Sequence, residues 1–352
     1  MENQGADVFL AADGPTYDLL KKEFPNTVIL RLFGYKIRYS HHKKYLALKL
    51  ATQLPKILYL IRREKKWLTK FVREYQPDSI ISDNRFGLYY HNIPCVYMTH
   101  QLRIMTGRKF TDWFAQKFHQ NYINKYTHCW VPDFESNGLA GELSHANKVF
   151  PSMEYIGALS RFKPSYKTEI KYSLLISISG PEPQRTIFEN LVLKQLTHFE
   201  KRVLVVRGLP GNYPEILSEN PSIEIVNHLP SKELNVAFCQ SAMIICRSGY
   251  STIMDLVKIK KQAILVPTPG QKEQEYLAEY LMGKKYFFSV AQQDFDLQNS
   301  LLDSKKFGAV LPDYDLEIYK KTLSAFIENI ISNPMLLHSS SENDSLIEPG
   351  LT

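Results

Sequence analysis

Several features that define whole classes of protein are missing from this sequence. No apolar run approaches the roughly 20 residues that a membrane-spanning helix requires. The first residues, MENQGADVFLAADG, lack the basic segment, apolar core and cleavage site of a secretory signal. The four cysteines stand singly in or near apolar runs, without the spacing of metal ligands. We therefore predict a cytoplasmic protein with reduced, buried thiols, and not an integral membrane protein or a disulfide-stabilised domain.

What remains is the composition of a soluble globular protein. Of its 352 residues, 44% are hydrophobic and 22% are charged. This length is enough for two domains of ordinary size, each with a core of its own.

Acidic residues are scarce in one segment. Between Arg31 and Arg73 the sequence has thirteen lysines and arginines against a single acid, Glu64. Leucine and isoleucine recur there at helical spacing, which favours a helix that packs an apolar stripe into the domain core. The charge also predicts electrostatic attraction of segment 31–73 to an anionic membrane, at the inner face of the cell membrane. Nucleic acid is not a predicted partner, because no recognition motif accompanies the charge.

Short apolar segments alternate with helical patterns through most of the chain. The predicted strands are 7–12, 27–33, 79–82, 95–99 and 128–132, and then 173–179, 202–206, 222–226, 242–246 and 263–267. This alternation predicts an α/β fold of two doubly wound, Rossmann-like domains with an interdomain cleft. We predict these domains at 1–150 and 151–332, followed by a disordered polar tail at 333–352.

The first domain opens in an unusual way. The segment DVFLAADGPTYDLL has the pattern of a second strand and helix, with no apolar first strand and glycine-rich turn before it. A truncated chain and a start codon placed late both predict this pattern.

The stretch CRSGYSTIMDL (246–256) is the most informative loop. It follows an apolar strand and opens a helix, and ligands bind beyond the carboxyl ends of strands in open parallel sheets. Thr252 and Asp255 have the spacing of a capping box, so one interpretation is a capped helix. The other is a ligand site, because a carboxylate there can accept hydrogen bonds from both hydroxyls of a ribose. Gly249 would let the backbone approach that ligand.

Two more loops join a strand to a helix. GPEPQRT (180–186) offers free backbone N–H groups to a diphosphate, with help from Arg185. PTPGQKEQE (267–275) carries amides and carboxylates that suit sugar hydroxyls, among them Gln271 and Gln274. Taken singly, each loop is also an ordinary strand-to-helix turn.

Two DxD strings raise the question of a metal ion. Asp294-Phe-Asp296 and Asp313-Tyr-Asp315 have the form that binds Mn²⁺ or Mg²⁺ with a diphosphate in metal-dependent transferases. Both are predicted to open helical segments instead, since acids favour the start of a helix. We predict neither a metal nor a cofactor.

Together these loops resemble glycosyltransferase family 28. RSGYSTIMDL is similar to the family's RSGALTxxE element, and PGQKEQEYLA is similar to its HQxxNA element. Residues 180–185 occupy the place of its second glycine-rich loop, and IGALSR (156–161) resembles its GNPVR element. The resemblance covers about 151–332 and is most specific around 246–278.

The resemblance implies a GT-B fold, with a nucleotide-sugar in the C-terminal domain and an acceptor in the N-terminal one. It implies that Asp255 binds the ribose and Gln274 the donor sugar, while Leu277 stands where the family has an asparagine. It places four residues against the diphosphate: Arg161, Gly180, Gln184 and Arg185. Four more line the same pocket: Ser248, Gly249, Ser251 and Thr252. It places His228 and Leu229 near the nucleobase.

The catalytic residues depart from the family pattern. Relatives place a histidine in a glycine-rich loop directly after the first strand, and this sequence has no such loop. The candidates on the acceptor side are Asp83 and His100, each at the end of a predicted strand, with Arg85 and Gln101 beside them. Asp83 is suited to position or deprotonate an acceptor hydroxyl, and is equally typical of a turn.

The leading function is an inverting, metal-independent glycosyltransferase of the bacterial cell envelope. It would move a hexose or N-acetylhexosamine from a UDP-sugar to a glycan or lipid-linked acceptor. Two alternatives are a GT-B-fold UDP-sugar 2-epimerase and a nucleotide-sugar-binding partner subunit without chemistry of its own. The RSG-type element disfavours the epimerase, and the missing first loop keeps the partner subunit open.

Overall fold

A computed structural model describes residues 1–34, 46–105, 109–145, 152–165, 168–211 and 213–332. The predicted tail at 333–352 lies outside the described residues. Contacts divide the chain into two units. The described parts of Met1–Pro132, Leu143–Gly157 and Glu317–Thr352 form the first, and those of Asp133–Glu142 and Ala158–Leu316 form the second. Among the described helices, none is both long and apolar enough to cross a bilayer.

Helices and strands alternate through most of the described chain. The first half holds β1 (Phe9–Ala12), α1 (Gly14–Glu23), β2 (Val28–Arg31), α2 (Leu46–Tyr75), β3 (Ile80–Asp83), β4 (Cys95–Met98), α3 (Lys109–Ile123), β5 (His128–Val131) and β6 (Met153–Tyr155). The second half holds β7 (Tyr172–Ser177), α4 (Gln184–Leu196), β8 (Val203–Val206), β9 (Ile223–Val226), α5 (Ser231–Cys239), β10 (Ser241–Cys246), α6 (Tyr250–Lys258), β11 (Ala263–Leu265), α7 (Lys272–Gly283), β12 (Phe288–Ser289), α8 (Leu297–Phe307) and α9 (Ile318–Ser332). Short 3-10 helices lie at Glu2–Gln4, Gly141–Leu143 and Gln292–Asp294. Every predicted strand is found within two residues of its predicted ends. The short strands β6 and β12, of three and two residues, were not predicted.

Parallel strands build the first unit. β1 pairs with β2, and a four-stranded sheet runs in the order β3-β4-β5-β6. Its core includes the buried side chains of Tyr97, Leu102 and Val131. Asp83 at the end of β3 lies opposite Met98 at the end of β4. The carboxyl ends of these two strands therefore meet at one edge of the sheet.

The basic segment forms α2, whose side chains are described from residue 54 onward. Leu68 is buried in a small apolar cluster, whereas Arg62 and Lys66 are exposed. This arrangement confirms the predicted amphipathic helix for the described part. Residues 35–45 of the segment lie outside the described residues.

A six-stranded parallel sheet forms the second unit, in the order β12-β11-β10-β7-β8-β9. If β7 is numbered as the first strand of this sheet and the sheet is read starting from β9, the order is 3-2-1-4-5-6. This order is typical of dinucleotide-binding folds. Ile176, Ile245 and Ile264 in the central strands are fully buried, as expected when helices cover both faces. The order of connections reverses between β7 and β10. That switch point is where ligands bind in folds of this kind.

Two segments belong to a different unit from the one that the predicted division at residue 150 gives them. α9 packs on the first unit, where the ring of Phe326 lies 5.1 Å from that of Trp130. Segment 133–142 joins the second unit, where the Tyr280 hydroxyl donates to the Gly138 carbonyl at 2.8 Å. Both contacts join residues more than a hundred positions apart, so local patterns in the sequence do not reveal them.

Candidate functional site

Three loops meet at the carboxyl edge of the six-stranded sheet. They follow β7 (178–183), β10 (247–249) and β11 (266–271), and these strands are neighbours in the order β11-β10-β7. The first two loops flank the switch point. Since all six strands are parallel, the three loops selected from the sequence do share one edge of the sheet.

Arg247 ties the three loops together. Its guanidinium donates to the carbonyl oxygens of Ser179 (3.4 Å), Gln184 (3.0 Å) and Val266 (3.1 Å). It also lies 4.3 Å from the centre of the Phe188 ring. The residue is only 1% exposed, and burial lowers its pKa to about 10. Sequence reasoning missed this residue, although an arginine directly after an apolar strand signals a buried group that must find acceptors.

The helix α6 begins without a side-chain cap. Its N-cap is Gly249, in an extended conformation with φ −73° and ψ 137°. Thr252 is the third residue of the helix, so the capping-box interpretation of Thr252 and Asp255 is wrong: the helix starts too early for it. A Cβ atom on Gly249 would meet nothing within 4 Å among the described residues, and Ser251 is exposed. The first N–H groups of a helix have no carbonyl partners within that helix, and no side chain caps those of α6.

The Asp255 carboxylate lies one turn further along α6. Its Oδ1 accepts a hydrogen bond from Ser160 Oγ at 2.6 Å. Burial raises the pKa of Asp255 to about 6, while the Ser160 hydrogen bond and the charge of Arg161 oppose that rise. The structure thus brings two predicted site residues, Arg161 and Asp255, close together. A half-buried carboxylate that caps no helix is well placed to accept from ligand hydroxyls.

Gln274 connects the loops after β10 and β11. Its backbone carbonyl accepts from Ser248 Oγ at 2.8 Å, and its Oε1 accepts from the Thr268 N–H at 2.9 Å. Because the amide oxygen is engaged, the amide nitrogen is the part of the Gln274 side chain that can contact a ligand. Gln271 is the N-cap of α7 and makes no side-chain cap hydrogen bond. Leu277 is fully buried, so a core residue stands where the family has an asparagine.

The loop after β7 carries the predicted diphosphate residues. Gly180 has φ +107°, a conformation that favours glycine, and Gln184 is the first residue of α4. Arg185 is buried, and its guanidinium forms ion pairs with Glu182 and Glu189. Arg185 thus belongs to an internal network in this structure. Its contact with a diphosphate stays a prediction.

His228 and Leu229 follow β9 at the same edge of the sheet. β9 is the outermost strand on its side, two strands from β7. His228 is exposed and Leu229 is half-buried. Their contact with a nucleobase stays a prediction.

In the first unit, Asp83 and His100 lie at the ends of the neighbouring strands β3 and β4. Desolvation of its carboxylate raises the pKa of Asp83, although the residue as a whole is exposed, and the nearby His100 opposes that rise. The guanidinium of Arg85 is occupied by ion pairs with the fully buried Glu64 at 2.6 Å and with Asp13 at 3.1 Å. Asp83 and His100 remain the acceptor-side candidates.

Within the described ranges, no cluster of three or more histidines, cysteines or acids is placed to hold a metal ion. Asp296 caps α8 by accepting from the Asn299 N–H at 2.8 Å, as expected for a helix start. The prediction that Asp313 opens a helix is wrong. It lies in irregular chain before α9, which starts only at Ile318, and its exposed carboxylate pairs with Lys260 at 2.8 Å.

Comparison with known families decides what the second unit is. Residues 184–328 match the model of the glycosyltransferase family 28 C-terminal domain. The chain carries a family 28 glycosyltransferase domain. This domain contains α6 with Asp255 and α7 with Gln274, the elements on which the resemblance rested. The predicted resemblance to family 28 is therefore confirmed for residues 184–328.

A curated relative of the family 28 domain comes from Caldanaerobacter subterraneus subsp. tengcongensis. It is a UDP-N-acetylglucosamine--N-acetylmuramyl-(pentapeptide) pyrophosphoryl-undecaprenol N-acetylglucosamine transferase, 26% identical over 180 residues. The alignment covers 48% of this chain and 42% of the relative. The match thus spans less than half the length of that enzyme.

Solved structures resemble the chain over nearly its whole length. The glycotransferase of kitacinnamycin has a TM-score of 0.59 at 13% identity, with 96% of this chain and 90% of that one covered. A putative UDP-N-acetylglucosamine 2-epimerase from Listeria monocytogenes has a TM-score of 0.53 at 12% identity, with 93% and 98% covered. These likenesses show the fold alone. The family 28 domain and the first unit have the predicted GT-B fold.

Proposed function

We propose that this chain is a metal-independent, inverting glycosyltransferase. It uses a UDP-sugar as donor, transfers a hexose or N-acetylhexosamine, and takes a glycan or lipid-linked acceptor. The observation that carries the proposal is the carboxylate of Asp255. It is half-buried, it is oriented by Ser160 and not by its own helix start, and it lies beside the switch point inside the family 28 domain.

Each part of the donor has a counterpart in the second unit. Asp255 accepts from the ribose hydroxyls. The diphosphate lies at the switch point, beside the amino ends of α4 and α6, where the positive ends of the two helix dipoles favour an anion. The amide nitrogen of Gln274, whose oxygen is already engaged, donates to a hydroxyl of the sugar.

The reaction is a direct displacement at the anomeric carbon. The acceptor oxygen forms a bond to that carbon as the bond from the carbon to the UDP oxygen breaks, so the configuration inverts. UDP leaves with the electron pair, and the helix N–H groups stabilise its charge. The acceptor proton passes to a base, for which Asp83 and His100 stay the predicted candidates.

A turnover assay tests this function. We expect the protein incubated with UDP-N-acetylglucosamine to release UDP slowly to water, at the same rate with and without a metal chelator. Binding without any release of UDP would instead support the non-catalytic partner subunit. Formation of the 2-epimer of the donor would support the epimerase, whose fold the chain shares.

Donor affinity should depend on the ionisation of Asp255. Its pKa in the free protein is about 6, so the carboxylate is charged at pH 8 and protonated at pH 5. We expect the affinity for UDP-N-acetylglucosamine to fall by roughly tenfold per pH unit below 6, because only the anion accepts from both ribose hydroxyls. Isothermal calorimetry measures this, and the sugar nucleotide has no phosphate that titrates in the same range. In Asp255→Asn the pH dependence should disappear; if it persists there, another group controls it.

We also propose that the first unit approaches the cytoplasmic face of an anionic membrane. Supporting this, Arg62 and Lys66 are exposed on α2, and Phe110, Trp113 and Phe114 are exposed on α3. Binding to vesicles with anionic lipid should exceed binding to neutral vesicles and decline as salt shortens the screening length. The double variant Arg62→Glu, Lys66→Glu should bind less. Equal binding to neutral vesicles would contradict the electrostatic contact.

A further inference from the structure

The start of α4 already holds an anion that belongs to the protein. Oε2 of Glu182 accepts from the backbone N–H of Thr186 at 3.2 Å, and its Oε1 accepts from Nε of Arg185 at 2.5 Å. Thr186 is the third residue of α4, and its N–H has no carbonyl partner within the helix. The N–H groups of Arg185 and Ile187 on either side already donate to the carbonyl oxygens of Pro181 and Pro183. Glu182 therefore makes the contacts that a phosphate oxygen makes at a helix start.

The ion-paired group that contains this carboxylate has a formal charge of zero. Glu189 lies between the two buried arginines, pairing with Arg185 and, at 3.0 Å, with Arg207. With Glu182 the group has two positive and two negative charges, and without it one positive charge is left over. The Arg185 contact also holds the pKa of Glu182 below its usual range. Removal of Glu182 from this place would leave a site suited to an incoming anion.

A second feature, in the neighbouring loop after β11, points to a ligand. Thr268 is 1% exposed, and its hydroxyl has no hydrogen-bond partner among the described residues. That hydroxyl oxygen would lie only 3.2 Å from a Cβ atom on Gly180, two residues before Glu182. A buried hydroxyl without a partner costs roughly as much as a lost hydrogen bond. A bound ligand that forms a hydrogen bond with the Thr268 hydroxyl would remove this cost.

We propose that Glu182 is an internal competitor for the donor diphosphate, which binds to the Arg185 guanidinium and the Thr186 N–H only after displacing the Glu182 carboxylate. This inference rests on the proposed function for the identity of the incoming ligand. Displacement is easy in physical terms, because the Glu182 side chain is 56% exposed and can turn into solvent. A nucleoside without phosphates gains nothing from displacing it. The contact therefore favours ligands that carry a diphosphate and lowers the protein's apparent affinity for them.

Removal of the carboxylate tests the competition. We expect Glu182→Gln and Glu182→Ala to bind UDP and inorganic pyrophosphate roughly two- to fivefold more tightly than the wild type, the range that corresponds to one exposed ion pair. Uridine should bind all three proteins alike. Glu219→Gln is the matched control, since it removes the same charge from an exposed residue on the amino side of β9. Calorimetry at one fixed, low salt concentration measures each affinity, with thermal midpoints to verify folding.

Several results would overturn the inference. They are unchanged or weaker binding of pyrophosphate and UDP by both Glu182 variants, or no binding of either anion by any of the proteins. A weaker affinity in the variants would mark Glu182 as a ligand of the donor. The proposed function fails separately, if UDP binds no better than ADP or GDP. In that case tighter pyrophosphate binding by the variants would still support the competition.

Discussion

Asp255→Asn is expected to weaken the binding of UDP-N-acetylglucosamine by about tenfold to a hundredfold at pH 8. The substitution keeps the size of the side chain but removes the charged acceptor that we propose for the two ribose hydroxyls, and charge-assisted hydrogen bonds are worth roughly 1.5–3 kcal/mol. Calorimetry gives the affinity. Asp303→Asn removes a charge from an exposed position on α8 and should leave the affinity unchanged.

The stability of Asp255→Asn should move in the other direction. The pKa of Asp255 is raised in the folded protein, from an unfolded value near 3.8 to about 6. Stability from such a group is present below pH 4 and is lost as the pH rises through 6, because the unfolded chain ionises more easily. At pH 8 a neutral asparagine should therefore keep or raise the thermal midpoint. A lowered midpoint with unchanged donor affinity would show that Asp255 is structural and that the ribose assignment is wrong.

Arg247→Ala is expected to lower the free energy of unfolding of the second unit by about 3–5 kcal/mol. The substitution removes a buried side chain from Phe188 and leaves several buried carbonyls unpaired, each at a cost of roughly 1–3 kcal/mol. For a unit of this size the thermal midpoint should fall by roughly 6–20 °C. Donor binding should weaken as well, since the three loops lose their common partner.

Two further variants make this result interpretable. Arg247→Lys keeps the charge but reaches fewer carbonyls, so an intermediate loss is expected. Arg202→Ala removes an exposed arginine whose guanidinium lies 5.4 Å from the Tyr172 ring, and should cost less than about 1 kcal/mol. If Arg247→Ala and Arg202→Ala were equally stable, Arg247 would not hold the loops together.

The sequence was sufficient for ten of the twelve described strands and for the edge at which the loops meet. Strand periodicity is a local property, and the rule for the carboxyl ends of parallel strands then selected the loops with Gly249 and Gln274. The family resemblance selected Asp255 among the acids. These parts of the fold and site depend only on neighbours along the chain.

Partners across space were the part that the sequence did not reveal. Arg185 pairs with Glu182 and Glu189, so its charge is used internally, yet the sequence shows only an arginine near a helix start. Arg247 is visible as a residue type, but its carbonyl partners are contributed by other loops. The sequence did not reveal that α6 lacks a side-chain cap, because this depends on the residue at which the helix starts. Periodicity locates such a boundary only to within a few residues.

Nucleotide selectivity tests the central claim most directly. Calorimetry of UDP, ADP and GDP against the same protein, in the presence of a metal chelator, compares ligands that differ only in the base. The proposed UDP-sugar transferase should bind UDP at least tenfold more tightly than the other two, and chelation should not change this. Equal affinity for all three nucleotides, or binding of UDP only with added Mn²⁺, would contradict the proposal.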